Sequence, residues 1–595
     1  MALTVSACGL TRPTQHPLTV KIVAFNDFHG NLQAGNYAQV AGEPAVTAGG
    51  IDYLAAYVAE MKSENPNHVV VSAGDLVGAT PLISAFYHDE GTIEAMNVLG
   101  LDFSAVGNHE FDPGPAELLR KQNGGCFPSG LQTCLEKHAF PGAAFKYLAA
   151  NVVYTANGKT LFPPYVIKTF QGVRVAFIGV GLKGTPSIVT PQGVPGLTFK
   201  DEAETVNALI PELHAQGVHA IIVLVHQGGT PSPAVPATGG INDCAGGLGG
   251  PTHSPIVDVV SRLSDSVDLV ISGHTHKAYN CRLPNSAGRL IPVTQAGYYG
   301  RILTGIDLSV DSSTGRVTHI AASNLVVSHP AADALTSPVH PFLLSPSIER
   351  IRALVADYAA AVAPLGNQVI GAIAAPLTNA PGPSGEEPAG DLIADSEFAA
   401  TSPAQMGGAV IAFVNAGGVR PPGFDTAQAT YPHNVTYQEA FAVRPFGNSL
   451  VTMTLTAGEI KDLLEQQFPG CNGQTTNRIL QVSNGLHVGW SVSAAPCQKV
   501  ADVTLQAPAN SGPIDQIVDH GVVQHPTKLY RVTVDSYLAS GGDDFSILPQ
   551  GTNRMGGPQD IDALVAYLSA TYKSPKSPYD PKDPALNLPR VVQLP

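Results

Sequence analysis

Short apolar runs alternate with helically spaced apolar positions through the first half of the chain. Val20–Phe25 and His68–Ser72 read as buried strands, and Gly50–Met61 between them places Ile51, Leu54, Ala55 and Val58 at helical spacing. The alternation continues through Phe103–Val106, Val173–Ile178, Asp201–Ala215, Ala220–Val225, Ile256–Leu263 and Val267–Ile271. Strands and helices in alternation predict an α/β layered core. From Pro292 to Val327 strands follow one another with little helix, as at the edge of a sheet or sandwich. Residues 328–347 break the pattern with Pro330, Pro338, Pro341 and Pro346, and Ser347–Ala363 then carries Ile348, Ile351, Leu354, Val355 and Tyr358 on one helical face. The expected organisation is a leader over 1–17, a first α/β domain over 18–335, a linker and connecting helix over 336–366, a second α/β domain over 367–570 and a tail over 571–595. The tail is rich in Lys, Pro and Asp, and its composition predicts that it wraps the surface or frays.

Composition narrows the function. Hydrophobic residues make up 44% of the 595 and charged residues only 13%, which excludes the low-hydrophobicity, high-charge regime of disordered chains. A formal charge of −15 argues against coating a polynucleotide, which needs a basic face. It leaves a small anionic substrate open, because such a ligand feels the local site. No apolar run reaches the ~20 residues of a membrane helix. The start, MALTVSAC, resembles the end of a bacterial lipoprotein signal with Cys8 as a lipid anchor, or else Cys8 is an ordinary thiol in a leader. The other six cysteines fall in neighbouring pairs in Gly-, Pro- or Asn-rich loops: Cys126 and Cys134, Cys244 and Cys281, Cys471 and Cys497. Three loop-stapling disulfides in a periplasmic or extracellular setting are expected, against the alternative of six separate thiols.

The chemistry sits just after the strands. Asp27 and His29 follow the first strand in FNDFHGN, Asp75 the second in SAGDLVG, and Asn108, His109 and Asp112 the third in VGNHEFD. His226 follows a later strand in LVHQGG, and His274 and His276 follow another in SGHTHKAY. Singly, Asp75 or Asn108 reads as a turn residue and His226 as a core histidine. Jointly, five strand ends deliver Asp, Asn and His to one edge of the sheets, where open α/β folds bind ligands.

This set resembles the calcineurin-like metallophosphoesterases. The NHEFD and GHTH forms, with a second domain behind them, are similar to the bacterial 5′-nucleotidase / UDP-sugar hydrolase / 2′,3′-cyclic phosphodiesterase family, over about residues 18–570. The resemblance implies a four-layer β-sandwich flanked by helices, a connecting helix with a hinge near Ala363–Gly366, and an α/β substrate-binding domain. It also implies two divalent ions, one held by Asp27, His29, Asp75 and His276, the other by Asp75, Asn108, His226 and His274, with Asp75 bridging. Mixed imidazole and carboxylate donors suit Mn, Zn, Co or Fe better than Mg or Ca. His109, oriented by Asp112, is implied as the catalytic residue that stabilises or protonates the reacting phosphate ester.

The second half carries NAGGVR at 415–420, PFGN at 445–448 and YLASGGD at 537–543. Phe446 and Tyr537 could stack a planar base, Gly417, Gly418 and Gly447 allow close backbone approach, and Arg420 offers a fork to phosphate. The alternative for any one loop is a core aromatic and turn glycines. By resemblance, Phe446 and Tyr537 sandwich the base, Asn415 touches it, Asn448 completes the PFGN loop, and Arg420 and Asp543 hold phosphate and ribose. One departure stands out: family members often carry arginines before the helix that begins here near Gly390, whereas this chain has Glu386 and Glu387 and no arginine between Arg352 and Arg420. Arg444 beside PFGN is the candidate substitute.

The expectation is a phosphohydrolase that releases phosphate from nucleoside 5′-monophosphates by attack of metal-bound hydroxide. A 2′,3′-cyclic phosphodiesterase/3′-nucleotidase or UDP-sugar hydrolase is the alternative on the same scaffold. A thiohydrolase of this architecture would not need a base clamp, and a non-catalytic surface binding protein would not need every ligand.

Overall fold

The computed structural model describes residues 17–33, 36–38, 46–126, 133–135, 139–189, 193–231, 240–242, 244, 247–249, 254–329, 341–425, 430–472, 474, 476–507 and 511–595. Cys8 and its proposed anchor, and Pro330 and Pro338 of the linker, lie outside the described residues.

Two six-stranded sheets form the centre of the first half. One runs Val317–Val326, Ile302–Val310, Leu18–Phe25, His68–Ser72, Phe103–Ala105, Lys146–Leu148; the other runs Ala278–Pro284, Leu290–Ala296, Leu269–Ser272, Ala220–Val225, Val173–Val180, Tyr165–Phe170. The strands that precede the chemistry are parallel within each sheet. Parallel strands covered on both faces read as continuous apolar runs, as Ala220–Val225 does. Alternate side chains divide the work: Val20, Ile22 and Ala24 face Phe177, Ile222 and Leu224 between the sheets. Val23 and Phe25 face the helix Ile51–Glu64 through Ile51, Leu54 and Val58. On the opposite outer face, Ile178 and Val223 meet Val206, Ile210 and Leu213 of the helix Glu202–Ala215. The result is the four-layer α/β/β/α sandwich expected.

The connecting helix is Pro346–Gly366. Ile348, Ile351 and Tyr358 are buried against the first half, and the Tyr358 ring lies so close to Gly91 that a Cβ there would come within 2.9 Å. The segment expected to hinge, Ala363–Gly366, is this helix's last turn. Beyond it, one sheet runs Gln481–Val482, Ile411–Val414, Leu529–Asp535, Ser449–Thr456, Thr552–Gln559, and a second runs Val522–Val523, Ser511–Asp519, Val500–Ala507, Leu486–Ser491, Val591–Leu594. Disulfides join Cys126–Cys134, Cys244–Cys281 and Cys471–Cys497, with Cα atoms 5.7, 5.2 and 5.1 Å apart.

The tail corrects its expectation. Val591–Leu594 is a strand paired in parallel with Leu486–Ser491, and Tyr579 and Arg590 are fully buried. Arg590 donates from Nη1 and Nη2 to the two carboxylate oxygens of Asp395, both at 2.9 Å. A Lys/Pro/Asp-rich composition concealed three anchors whose partners lie far away in sequence. Removing one partner of a buried pair leaves an uncompensated charge, so Arg590→Ala is expected to destabilise the second domain by about 3–5 kcal/mol. Urea unfolding checks this; a change under about 1 kcal/mol, the scale of an exposed pair, would contradict it.

Candidate active site

Five of the seven proposed ligands follow their strands in left-handed backbone; Asn108 and His226 do not. Asp27, His29, Asp75, His274 and His276 have φ of 51°, 46°, 51°, 74° and 57°. Non-glycine residues rarely hold this left-handed backbone, and such residues cluster where function requires them. Gly107 makes one approach possible, because a Cβ there would lie 2.0 Å from Asp75 Oδ1.

The side chains form two abutting groups, Asp27–His29–His276 and Asp75–His226–His274, each with its ligand atoms within 4.8 Å of one another. His29 Nε2 and His276 Nε2 are 3.1 Å apart, and His276 Nε2 is 3.5 Å from Asp27 Oδ1. His226 Nε2 lies 3.0 Å from Asp75 Oδ2 and 3.1 Å from Asn108 Oδ1. Asp75 Oδ2 is also 3.7 Å from His29 Nε2, so this carboxylate faces both groups. The other ring nitrogens are anchored: His29 Nδ1 to the Gly78 carbonyl and His226 Nδ1 to the Ala73 carbonyl, both at 2.8 Å. A ring whose Nδ1–H donates to a carbonyl presents a lone pair at Nε2, the tautomer a metal needs. The 3.1 Å between His29 Nε2 and His276 Nε2 matches the ~3.3 Å edge of a tetrahedral site with metal–nitrogen distances of about 2.05 Å.

Electrostatics fits a cation in the same place. Burial keeps His29 and His276 neutral and pushes His274 down to about 3. Burial also opposes charge on His226, but Asp75 and Asp27 outweigh it and raise the group to about 10. Positive charge is therefore favoured between His226 and Asp75. The donor set thus fits two divalent ions.

His109 stands beside this cluster without joining either group. Its Nδ1 donates to Asp112 Oδ2 at 2.7 Å, and its backbone N–H donates to Asp75 Oδ1 at 2.9 Å. Burial opposes its charge, but Asp112 and Asp75 raise its pKa above the usual imidazole value. Glu110, absent from the expected site, is fully buried and accepts the backbone N–H groups of Asp75, Leu76 and Gly107 at 2.9, 2.8 and 2.5 Å. It fixes the Asp75 turn. Its position in NHEFD was the available signal.

A cleft of about 420 Å³ opens from the cluster into the second half. Asn108, His109, Asp112 and His274 line one side, and eight of the nine expected substrate residues line the other: Asn415, Gly417, Gly418, Arg420, Phe446, Asn448, Tyr537 and Asp543. Gly447 does not line it; its φ of 62° shapes the turn between Phe446 and Asn448. Arg420 Nη2 is 3.5 Å from His29 Nε2, and Phe446 lies over His109 with ring centroids 6.1 Å apart. Arg420 Nε and Asn415 Oδ1 are buried without a hydrogen-bond partner. Asp543 accepts from Asn415 Nδ2, Arg478 Nη1 and the Tyr537 hydroxyl at 2.7, 2.7 and 2.8 Å. Three of roughly four carboxylate acceptor positions are thus filled, which leaves one for a ligand. Arg478 was not foreseen, since nothing in its local sequence marks it.

Arg444 corrects an expectation. It cannot reach a phosphate, because it is fully buried and ion-paired with Glu397, Asp535 and Asp560. Glu386 and Glu387 also turn inward: Glu386 accepts from the Arg590 backbone N–H, and Glu387 is buried.

The chain matches the calcineurin-like phosphoesterase family model over residues 20–278 and the 5′-nucleotidase C-terminal domain model over residues 369–550. It belongs to the 5′-nucleotidase family. That family places it among the phosphoric monoester hydrolases. A 5′-nucleotidase precursor from Thermus thermophilus superposes with a TM-score of 0.70 at 26% identity, covering 93% of this chain and 97% of that one. The rat 5′-nucleotidase is 24% identical over 601 residues, covering 96% of this chain and 91% of its own. Endonuclease YhcR of Bacillus subtilis is 27% identical over 564 residues; the match covers 94% of this chain but only 40% of that relative's length. Among the described residues no helix is long and apolar enough to cross a membrane.

Proposed function

We propose that this chain hydrolyses nucleoside 5′-monophosphates to nucleoside and phosphate at a two-metal centre. The observation that carries the reading is that Arg420, Phe446 and Tyr537 line one cleft with Asn108, His109 and His274. The Asp27–His29–His276 and Asp75–His226–His274 groups would hold two divalent ions, which would supply Lewis-acid polarisation and a more acidic water. The chain's residues do the rest. Arg420 binds a phosphoryl oxygen through its fork, with Nε still without a partner. His109, held at Nδ1 by Asp112, offers Nε2 to the reacting ester and passes a proton to the departing ribose oxygen. Phe446 and Tyr537 hold the base, Asn415 Oδ1 accepts from it, and the remaining acceptor position of Asp543 takes a ribose hydroxyl. The three disulfides support a secreted or periplasmic setting.

A phosphate-release panel of AMP, UMP, ATP, UDP-glucose, 2′,3′-cyclic AMP and 3′-AMP on metal-loaded protein tests this. Release from none of them would favour a binding protein. Among the described Lys and Arg side chains lining the cleft, Lys121 pairs with Asp89 and Arg478 with Asp543, which leaves Arg420 for phosphate. With one cation available, AMP is expected to be hydrolysed more efficiently than ATP. A higher kcat/KM for ATP at saturating metal would contradict the assignment.

A further inference from the structure

The buried Arg444 is linked to three of the loops on the nucleoside side of the cleft. It follows the helix Tyr437–Val443 and precedes Pro445 and Phe446 directly. Its Nη1 donates to the Gly418 carbonyl at 2.8 Å, inside the loop that carries Asn415 and Arg420. Its Nη2 donates to Asp535 Oδ2 at 2.9 Å and to Glu397 Oε1 at 2.8 Å. Its Nε lies 3.2 Å from Asp560 Oδ2 as an ion pair without a hydrogen bond.

Each partner passes the constraint onward. The other oxygen of Asp535 accepts the Leu538 N–H at 2.8 Å and so caps the short helix Ser536–Ala539 that presents Tyr537. The Asp560 N–H donates to the Asn448 carbonyl at 2.8 Å, fixing the far end of the PFGN loop. The Ser536 hydroxyl reaches Asn448 Oδ1 at 3.3 Å, which ties those two loops together a second time. Glu397 lies on the helix Pro388–Thr401, behind the sheet. One planar guanidinium therefore references the three binding loops to a helix that takes no part in binding.

Resting on the nucleotidase reading, we propose that Arg444 is a positioning residue that sets the separation and tilt of Phe446 and Tyr537, and thereby the nucleoside affinity, without touching substrate.

The chemistry requires arginine. The planar fork donates to three acceptors in fixed directions and keeps Nε against a fourth group, Asp560, whereas a lysine ammonium is a compact point charge that cannot hold that geometry. The arrangement also carries an energetic cost that a purely structural core would not need. Three carboxylates surround one cation out of contact with water, and burial drives Glu397 up to about 8 and Asp560 to about 6 against the pull of Arg444. Apolar side chains of similar volume pack such a core at least as stably. What they cannot do is hold a carbonyl of one loop and a capping carboxylate of another at fixed distances.

The test is a split between KM and kcat. The double variant Arg444→Met with Glu397→Leu removes the cation together with the carboxyl that burial already drives up to about 8, and leaves Asp535 and Asp560 as the acidic groups of the cluster. It is expected to stay folded by circular dichroism and to keep kcat on AMP within about threefold of wild type. KM for AMP and the inhibition constant of adenosine are both expected to rise about tenfold or more, the signature of lost ground-state binding. Arg444→Lys is expected to fall between the two. A folded double variant with wild-type KM and adenosine affinity overturns the proposal, as do wild-type values in Arg444→Lys. A double variant that fails to fold overturns it too, since it would make Arg444 a stability residue. If wild type neither hydrolyses AMP nor binds adenosine, it is the nucleotidase reading that fails.

Discussion

Replacing Asp75 by alanine is expected to abolish turnover and metal binding together. Its Oδ2 lies 3.0 Å from His226 Nε2 in one ligand group and 3.7 Å from His29 Nε2 in the other, so no other side chain in the cluster can substitute. Its Oδ1 also accepts the His109 N–H at 2.9 Å, so the residue orients the His109 turn as well. The surrounding histidines and Asp27 would remain, but with a smaller negative charge to hold two dications. The expected loss is roughly 10⁴-fold or more in kcat, the scale of forfeiting the ions' acidification of water. Metal content per chain, measured beside phosphate release, decides the matter. Two ions retained with near-normal turnover would remove Asp75 from the centre. The fold should survive, because Asp75 sits on a turn whose backbone N–H groups are held by Glu110.

His109→Ala should show the opposite pattern: metal content unchanged and kcat reduced by about 10²–10⁴, the range of a positioned proton donor. The imidazole belongs to neither ligand group, and the contact that links residue 109 to Asp75 is a backbone N–H, which alanine keeps. Asp112→Asn should lose less, since an amide can still accept the Nδ1–H while its charge is gone. Loss of metal from His109→Ala would assign the ring to coordination and not to chemistry.

The chemistry was legible where it depended on residue type after an apolar strand. Asp27, Asp75, His226 and His274 could be named because strand ends in a parallel sheet converge, and because few residue types hold a metal. The four-layer architecture was legible for a related reason: Ala220–Val225 is apolar on both faces, which only a doubly covered sheet tolerates. Buried charge was not legible. Arg444 beside an aromatic, Gly-rich loop looks like a phosphate ligand until its partners 47 and 91 positions away are known. Arg590, 195 positions from Asp395, sits in a stretch whose composition suggests solvent. Glu110 has the same character: a carboxylate whose three backbone donors come from two different turns. Local periodicity carries no information about which charges a fold will pair in its interior.

The left-handed backbone at five ligand positions restricts how this centre can be re-engineered. Aspartate, asparagine and histidine enter that conformation more readily than most side chains, and the chain uses only aspartate and histidine there. Exchanging a ligand for glutamate or cysteine, the usual route to a different metal preference, meets a conformational filter before any coordination chemistry begins. His226 and Asn108, outside that set, are the positions from which metal preference could be retuned at the least conformational cost.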